Sequence, residues 1–254
     1  MKKKIALMVG HGTQTNGIWD SGCAYGSYTE AALMLKITKV AVKYLRDHGV
    51  EVITDADKNN NKNMIACVAW ANREKVDYYM SVHCDYRYAT AGVAPLYVSA
   101  SGKKMATEVG KSIAKEMGMK WKGAFRRTNL YELNATNMTS VILETGSIRY
   151  DLKFLKRYEQ YGLALGKALC DFLGVKVELP TLPKKGYFTK GDEGKEVKKL
   201  QECLNYLGYD CGEADGIIGD KTMKAIKKFK KKYGMGIPKK FGKKSLKYLK
   251  KALV

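Results

Sequence analysis

Histidine is the scarcest residue with chemistry to offer: three in 254, at positions 11, 48 and 83. Imidazole chemistry is confined to those places. Six cysteines, at 23, 67, 84, 170, 203 and 211, form no CxxC pair and no regular spacing. That excludes a zinc-finger or knottin framework and points to free buried thiols of a reducing compartment. Cys203 and Cys211 are near enough in sequence to permit one local disulfide. No stretch approaches the roughly 20 apolar residues that cross a bilayer, so no membrane span is expected. The apolar run after Met1-Lys-Lys-Lys is short, and His11 interrupts it before any small-residue cleavage site. The chain is therefore expected to be made in the cytoplasm without a signal peptide.

Acidic residues are outnumbered, 25 Asp and Glu against 46 Lys and Arg, for a formal charge of +21. Residues 184–254 hold 20 Lys and 8 acidic residues, so +12 of that charge belongs to the tail. Such a balance suits a polyanionic partner: nucleic acid, anionic lipid, or wall polymers rich in phosphate. A solvated lysine coat that keeps the protein soluble is the plainer alternative. No nucleic-acid-binding motif accompanies the charge, so a nucleic-acid partner is not expected. A hydrophobic fraction of 45% supplies ample core.

Apolar runs and amphipathic stretches alternate along residues 1–175. Ile5 to Val9, Val50 to Thr54, Tyr78 to His83, Pro95 to Ser99 and Ser140 to Glu144 read as strands. Thr29 to Leu45, Met64 to Lys75, Lys103 to Met117 and Tyr158 to Leu173 read as helices. That order predicts an α/β fold with a single mixed, mostly parallel sheet and helices on both faces. Residues 176–187, with two prolines, three lysines and a glycine, read as a linker. Residues 188–254 carry three amphipathic helices with a glycine-punctuated loop between the first two, a small three-helix domain.

His11 and His83 each end a buried strand, at the sheet edge where α/β proteins bind ligands. Glu30, opening the first helix behind Thr29, can face that edge. Two neutral imidazoles and one carboxylate suit a single Zn2+ ion with a fourth position for water. Gly10 and Gly12 would let the backbone turn tightly beside it. Glu144 ends an apolar strand, where a carboxylate is desolvated. It is either a structural ion pair with a lysine or arginine, or a general base. Alternation puts Cys84 on the face opposite His83, against a Cys–His dyad. Asp85 would share the His83 face and could orient that ring, or simply start a loop. His48, in Arg-Asp-His-Gly, reads as a cation at a helix C-terminus.

Four pieces in order, Gly10-His11-Gly12, Thr29-Glu30, Ser81-Val82-His83 and Leu143-Glu144-Thr145-Gly146, resemble the zinc-dependent N-acetylmuramoyl-L-alanine amidases. Trp70-Ala71-Asn72 adds to the likeness. The resemblance covers roughly residues 4–175. It implies that His11, Glu30 and His83 are metal ligands, that Glu144 is catalytic, and that the amide between N-acetylmuramic acid and L-alanine is cut. Arg126, Arg127, Asn134 and Thr136 are then the candidate substrate contacts. Two departures bear on substrate contacts rather than metal: Asp85 stands where the family often has Asn, and residues 55–62 lack the family's arginines. Residues 188–254 resemble the peptidoglycan-binding module found beside such enzymes, through Gly191-Asp-Glu-Gly-Lys-Glu-Val-Lys-Lys-Leu-Gln, Leu207-Gly-Tyr and Asp215-Gly-Ile-Ile-Gly. Tyr209 and Asp215 are its candidate wall contacts. Bacterial peptidoglycan, with anionic wall polymers, is the expected partner, reached after release from the cell as by a phage or prophage endolysin. A zinc peptidase cutting within the stem peptide, or a bacterial autolysin, is the alternative.

Overall fold

The computed structural model describes residues 3–58, 61–85, 91–236 and 240–253. The chain divides into two compact units, Met1–Val177 and Glu178–Val254.

In the first unit β1 (Lys4–Val9) leads through a hairpin, β2 (Ala24–Tyr25) and β3 (Tyr28–Thr29), into α1 (Glu30–Asp47). Then come β4 (Glu51–Ile53), α2 (Met64–Arg73), β5 (Tyr78–Asp85), β6 (Leu96–Tyr97) and α3 (Ala100–Met117). β7 (Phe125–Arg126), a helical turn α4 (Tyr131–Asn134), β8 (Thr139–Ser147), a second turn α5 (Leu152–Leu155) and α6 (Tyr158–Leu173) complete it. The six-stranded sheet runs β4-β1-β5-β8-β6-β7. β4, β1, β5 and β8 are mutually parallel, and β6 runs antiparallel to β8. The mixed, mostly parallel sheet read from the sequence is therefore present.

Side chains alternate across the sheet because successive Cβ atoms point to opposite faces. Ile5, Leu7 and Val9 of β1, with Met80, Val82 and Cys84 of β5, join the large core under α1, α3 and α6. Ala6, Met8 and Tyr79 meet Cys67, Val68 and Ala71 of α2 on the other face. The odd positions of β5 thus share a face with Tyr79, and His83 is one of them. α1 and α6 approach closely at Gly162, where a Cβ would stand 2.5 Å from Val40 Cβ. α6 stops at Gly174 in the left-handed region, φ 69°.

In the second unit β9 (Phe188–Thr189), α7 (Lys195–Tyr206), α8 (Asp220–Lys232), β10 (Lys240–Phe241) and α9 (Lys243–Leu253) close around Leu200, Leu204, Ile226, Phe229 and Leu249. β9 and β10 pair antiparallel, Phe188 opposite Phe241. Leu182 packs against this core and Lys185 pairs with Asp192 at 3.1 Å, so the end of the proline-containing segment lies against this unit. Cys203 and Cys211 are both free thiols. No described helix is long and apolar enough to cross a membrane.

Candidate metal centre

The C-terminal ends of β1, β5 and β8 lie side by side. Gly10 N–H donates to Val82 O at 2.8 Å, carrying the β1 ladder one residue past the strand. His11 then takes φ +64°, a left-handed conformation uncommon for a residue with a side chain. The turn swings its ring back over the sheet edge. Gly10 is required for a separate reason: a Cβ there would lie 2.5 Å from the His83 ring.

Glu30 opens α1, where a carboxylate is favoured by the helix dipole. Its oxygens are fixed from the backbone, Oε2 by Cys23 N–H at 3.0 Å and Oε1 by Cys84 N–H at 3.0 Å. Gly22, at φ +65°, leaves room for this, since a Cβ would stand 2.6 Å from Glu30 Oε2 and His11 Cδ2. His11 Nε2 faces Glu30 Oε2 at 3.2 Å and His83 Nδ1 faces Oε1 at 2.9 Å. Each ring turns its other nitrogen to a second carboxylate: His11 Nδ1 to Asp20 Oδ2 at 2.8 Å, His83 Nε2 to Glu132 Oε2 at 3.6 Å.

Donor atoms of His11, Glu30 and His83 all lie within 4.8 Å of one another. The set fits a small divalent cation: one buried anion, two imidazoles, and no Cβ from Gly10 or Gly22 in the way. Burial opposes ionisation of Glu30, but hydrogen bonds to both rings hold its carboxyl well below the usual range. Burial also opposes charge on His11 and His83, and their carboxylate neighbours outweigh it and raise both.

Glu144 sits opposite His83 in the β5–β8 register. Its Oε2 is buried with no hydrogen-bond partner among the described residues, which argues against the structural ion pair for that atom. Burial pushes the Glu144 carboxyl up to about 7. A buried carboxylate of that basicity can take and return a proton near neutrality.

The other expected contacts fare differently. Asp85 is not the partner of the His83 ring, whose nitrogens face Glu30 and Glu132. The β5–β8 register shifts here, His83 facing Glu144 and Asp85 facing Ser147, so the extra residue lies in β8; the His83 ring is taken by carboxylates from α1 and α4 instead. Cys84 points away from His83, as alternation requires, and its Sγ lies 3.9 Å from Cys23 Sγ. Asn134 Nδ2 donates to Thr128 O and Leu130 O, and Thr136 Oγ1 donates to Glu132 O; both tie down α4. Arg126 and Arg127 are exposed, beside Val98 O and Arg126 O respectively. His48 caps α1, with Nδ1 2.7 Å from Tyr44 O.

In the second unit Tyr209 is 5% exposed and packs edge-on against Phe229 at 5.4 Å, so it belongs to the core rather than to a binding face. Asp215 Oδ1 accepts from Gln201 Nε2 at 2.8 Å and from Ile217 N–H at 2.9 Å, shaping the loop. Gln201 is fully committed to that loop, taking Gly216 N–H and reaching Thr222 Oγ1. Asp20, Glu132 and Gln201 were not singled out as partners from sequence, because their roles arise from contacts across loops.

Residues 5–171 match the family model described as N-acetylmuramoyl-L-alanine amidase, and residues 193–237 the model described as "Putative peptidoglycan binding domain". The amidase AmiC2 of Nostoc punctiforme is similar in structure: TM-score 0.61, 25% identity, 68% of this chain and 98% of that one. Two uncharacterised Clostridium perfringens proteins are each 27% identical, over 149 and 179 residues, or 56% and 66% of this chain. The chain spans about half the length of these curated relatives, 42% and 51%.

Proposed function

From the premise that this chain belongs to the N-acetylmuramoyl-L-alanine amidase family, we propose that it hydrolyses the amide between the lactyl group of N-acetylmuramic acid and L-alanine in peptidoglycan. One observation carries the reading: His11, Glu30 and His83 converge at one point while Glu144, whose Oε2 has no hydrogen-bond partner among the described residues, stands on the next strand, in register with His83. His11 Nε2, a Glu30 oxygen and His83 Nδ1 would hold a zinc ion. Bound there, zinc would supply Lewis acidity to water and to the scissile carbonyl.

The chain's own residues do the rest. Glu144 takes a proton from the attacking water on its buried carboxylate. It returns that proton to the amine nitrogen of L-alanine as the C–N bond breaks. Glu30 is kept ionised by its hydrogen bonds to the two rings, so it stays a ligand rather than an acid. Arg126 and Arg127, both exposed, are the side chains left to meet acidic groups of the stem peptide.

The second unit is proposed to hold the enzyme on the wall, with its lysines adding attraction to anionic wall polymers. A lytic role of the endolysin kind follows from joining an amidase to such a module. Digestion of purified sacculi tests the reaction. Mass spectra should show free lactyl ends on muramic acid and L-alanine amino termini. Intact lactyl amides with cut stem peptides would mean a peptidase instead.

A further inference from the structure

Glu132 is a buried carboxylate that neither the proposed ligand set nor the proton transfer uses. It sits in α4, the short turn covering the face of β5 that also carries Tyr79 and His83. Only 6% of the residue is exposed. Such a group is costly to bury unless its oxygens are engaged. Tyr79 O–H donates to Oε1 at 2.6 Å, and the ring of Tyr79 is itself fully buried. Pinned at that oxygen, the carboxylate presents Oε2 to His83 Nε2 at 3.6 Å. Thr136 Oγ1 donates to the Glu132 carbonyl at 3.0 Å and steadies the turn below it.

We propose that Glu132 is a positioning residue for the metal centre, with Tyr79, Glu132 and His83 forming a relay in which the carboxylate accepts the Nε2 proton of His83. The consequence is a chosen tautomer. With the proton on Nε2, the lone pair of His83 stands on Nδ1, the nitrogen facing Glu30. The carboxylate also makes the imidazole a stronger donor and fixes the plane of the ring. A modest closing of the 3.6 Å gap completes the hydrogen bond.

The arrangement on His11 is the exposed counterpart. Asp20 faces His11 Nδ1 at 2.8 Å but is 38% exposed, so solvent screens it. Glu132 has no such screening, and its influence on its histidine is the larger for it. Outer carboxylates of this sort typically change metal affinity by about 10–100-fold.

This inference rests on the metal site proposed above, and the test separates the two. Zinc affinity is measured by competition with a chromophoric chelator for the full chain and for Glu132→Gln, Glu132→Leu and His83→Ala. The melting temperature of each stripped protein is recorded alongside. Glu132→Gln keeps an acceptor of similar shape without the charge, and about a tenfold loss of affinity is expected. Glu132→Leu removes the acceptor, and about a hundredfold loss is expected, still short of His83→Ala. Long-range proton–nitrogen NMR of the zinc-loaded chain should show His83 protonated on Nε2. Affinity within twofold of wild type in both Glu132 variants, with only the stripped melting temperature lowered, would reduce Glu132 to a partner for Tyr79 and overturn the relay. If wild type and His83→Ala bind zinc equally weakly, the metal site itself fails and the relay with it.

Discussion

Glu144 is under the sharpest chemical tension of any side chain in the site. Its Oε2 is buried with no hydrogen-bond partner among the described residues, and its carboxyl rises to about 7. Glu144→Gln keeps the volume and removes the base. Amidase activity should drop by about 10²–10⁴-fold with zinc content unchanged; retained sacculus lysis would refute the assignment. The same group makes a pH prediction. Its folded value lies above the ordinary 4.5, so its stabilising contribution is present below 4.5 and lost as pH rises through about 7. His11 and His83 are raised as well, so their contributions also vanish on the alkaline side. Glu30 is depressed and loses its contribution only in acid. A zinc ion bound in the proposed site would replace the protons that His11 and His83 release. The rise in melting temperature on adding zinc should therefore be larger near about pH 8 than near about pH 6. Thermal scans with and without zinc at the two values decide it, and equal rises would contradict the proton linkage.

At the scale of elements, three strands and one helix must agree to within a few tenths of an ångström. β1, β5 and β8 are parallel neighbours, so their ends arrive at the same edge. α1 brings Glu30 to that edge, and α1 is set by its packing on α6. Gly162 allows this approach, since a Cβ would lie 2.6 Å from Ile37 O. Gly162→Ala should force the helices apart and cost about 1–3 kcal/mol by urea unfolding. Zinc affinity should fall too, because α1 carries Glu30. A variant as stable as wild type would show that the helices separate freely. Which stretches form the main strands and helices was legible from apolar runs and 3.6-residue periodicity; their order in the sheet was not. The bulge after His83 was not, because a one-residue register slip leaves no mark in an alternating pattern. Nor was the approach of Glu132, 49 residues beyond His83, which depends on how α4 folds over β5.

Across the whole molecule, each unit has its own core and its own charge. Residues 184–254 carry +12 of the total +21. Attraction of that kind is screened at high ionic strength. Retention of the full chain on purified sacculi should weaken between about 50 mM and about 500 mM NaCl, as read by co-sedimentation. Unchanged retention would mean that neutral contacts dominate.

Some properties were decided by the sequence alone. Periodicity set the sheet and its helices, since burying an apolar face is a local demand repeated along the chain. With only three histidines, and two of them ending strands, His11 and His83 were marked before any coordinate was known. Glu30 and Glu144 could be marked too, because each stands at the boundary of an element. What only the tertiary structure decided is what those side chains touch. The approach of the two histidines to Glu30, the burial of Tyr209 and the approach of Glu132 to His83 depend on contacts between segments distant in sequence. Such contacts follow from packing in three dimensions, and no local pattern encodes them. The candidate site was thus written as four separate residues and became one place only when β1, β5, β8 and α1 closed on each other.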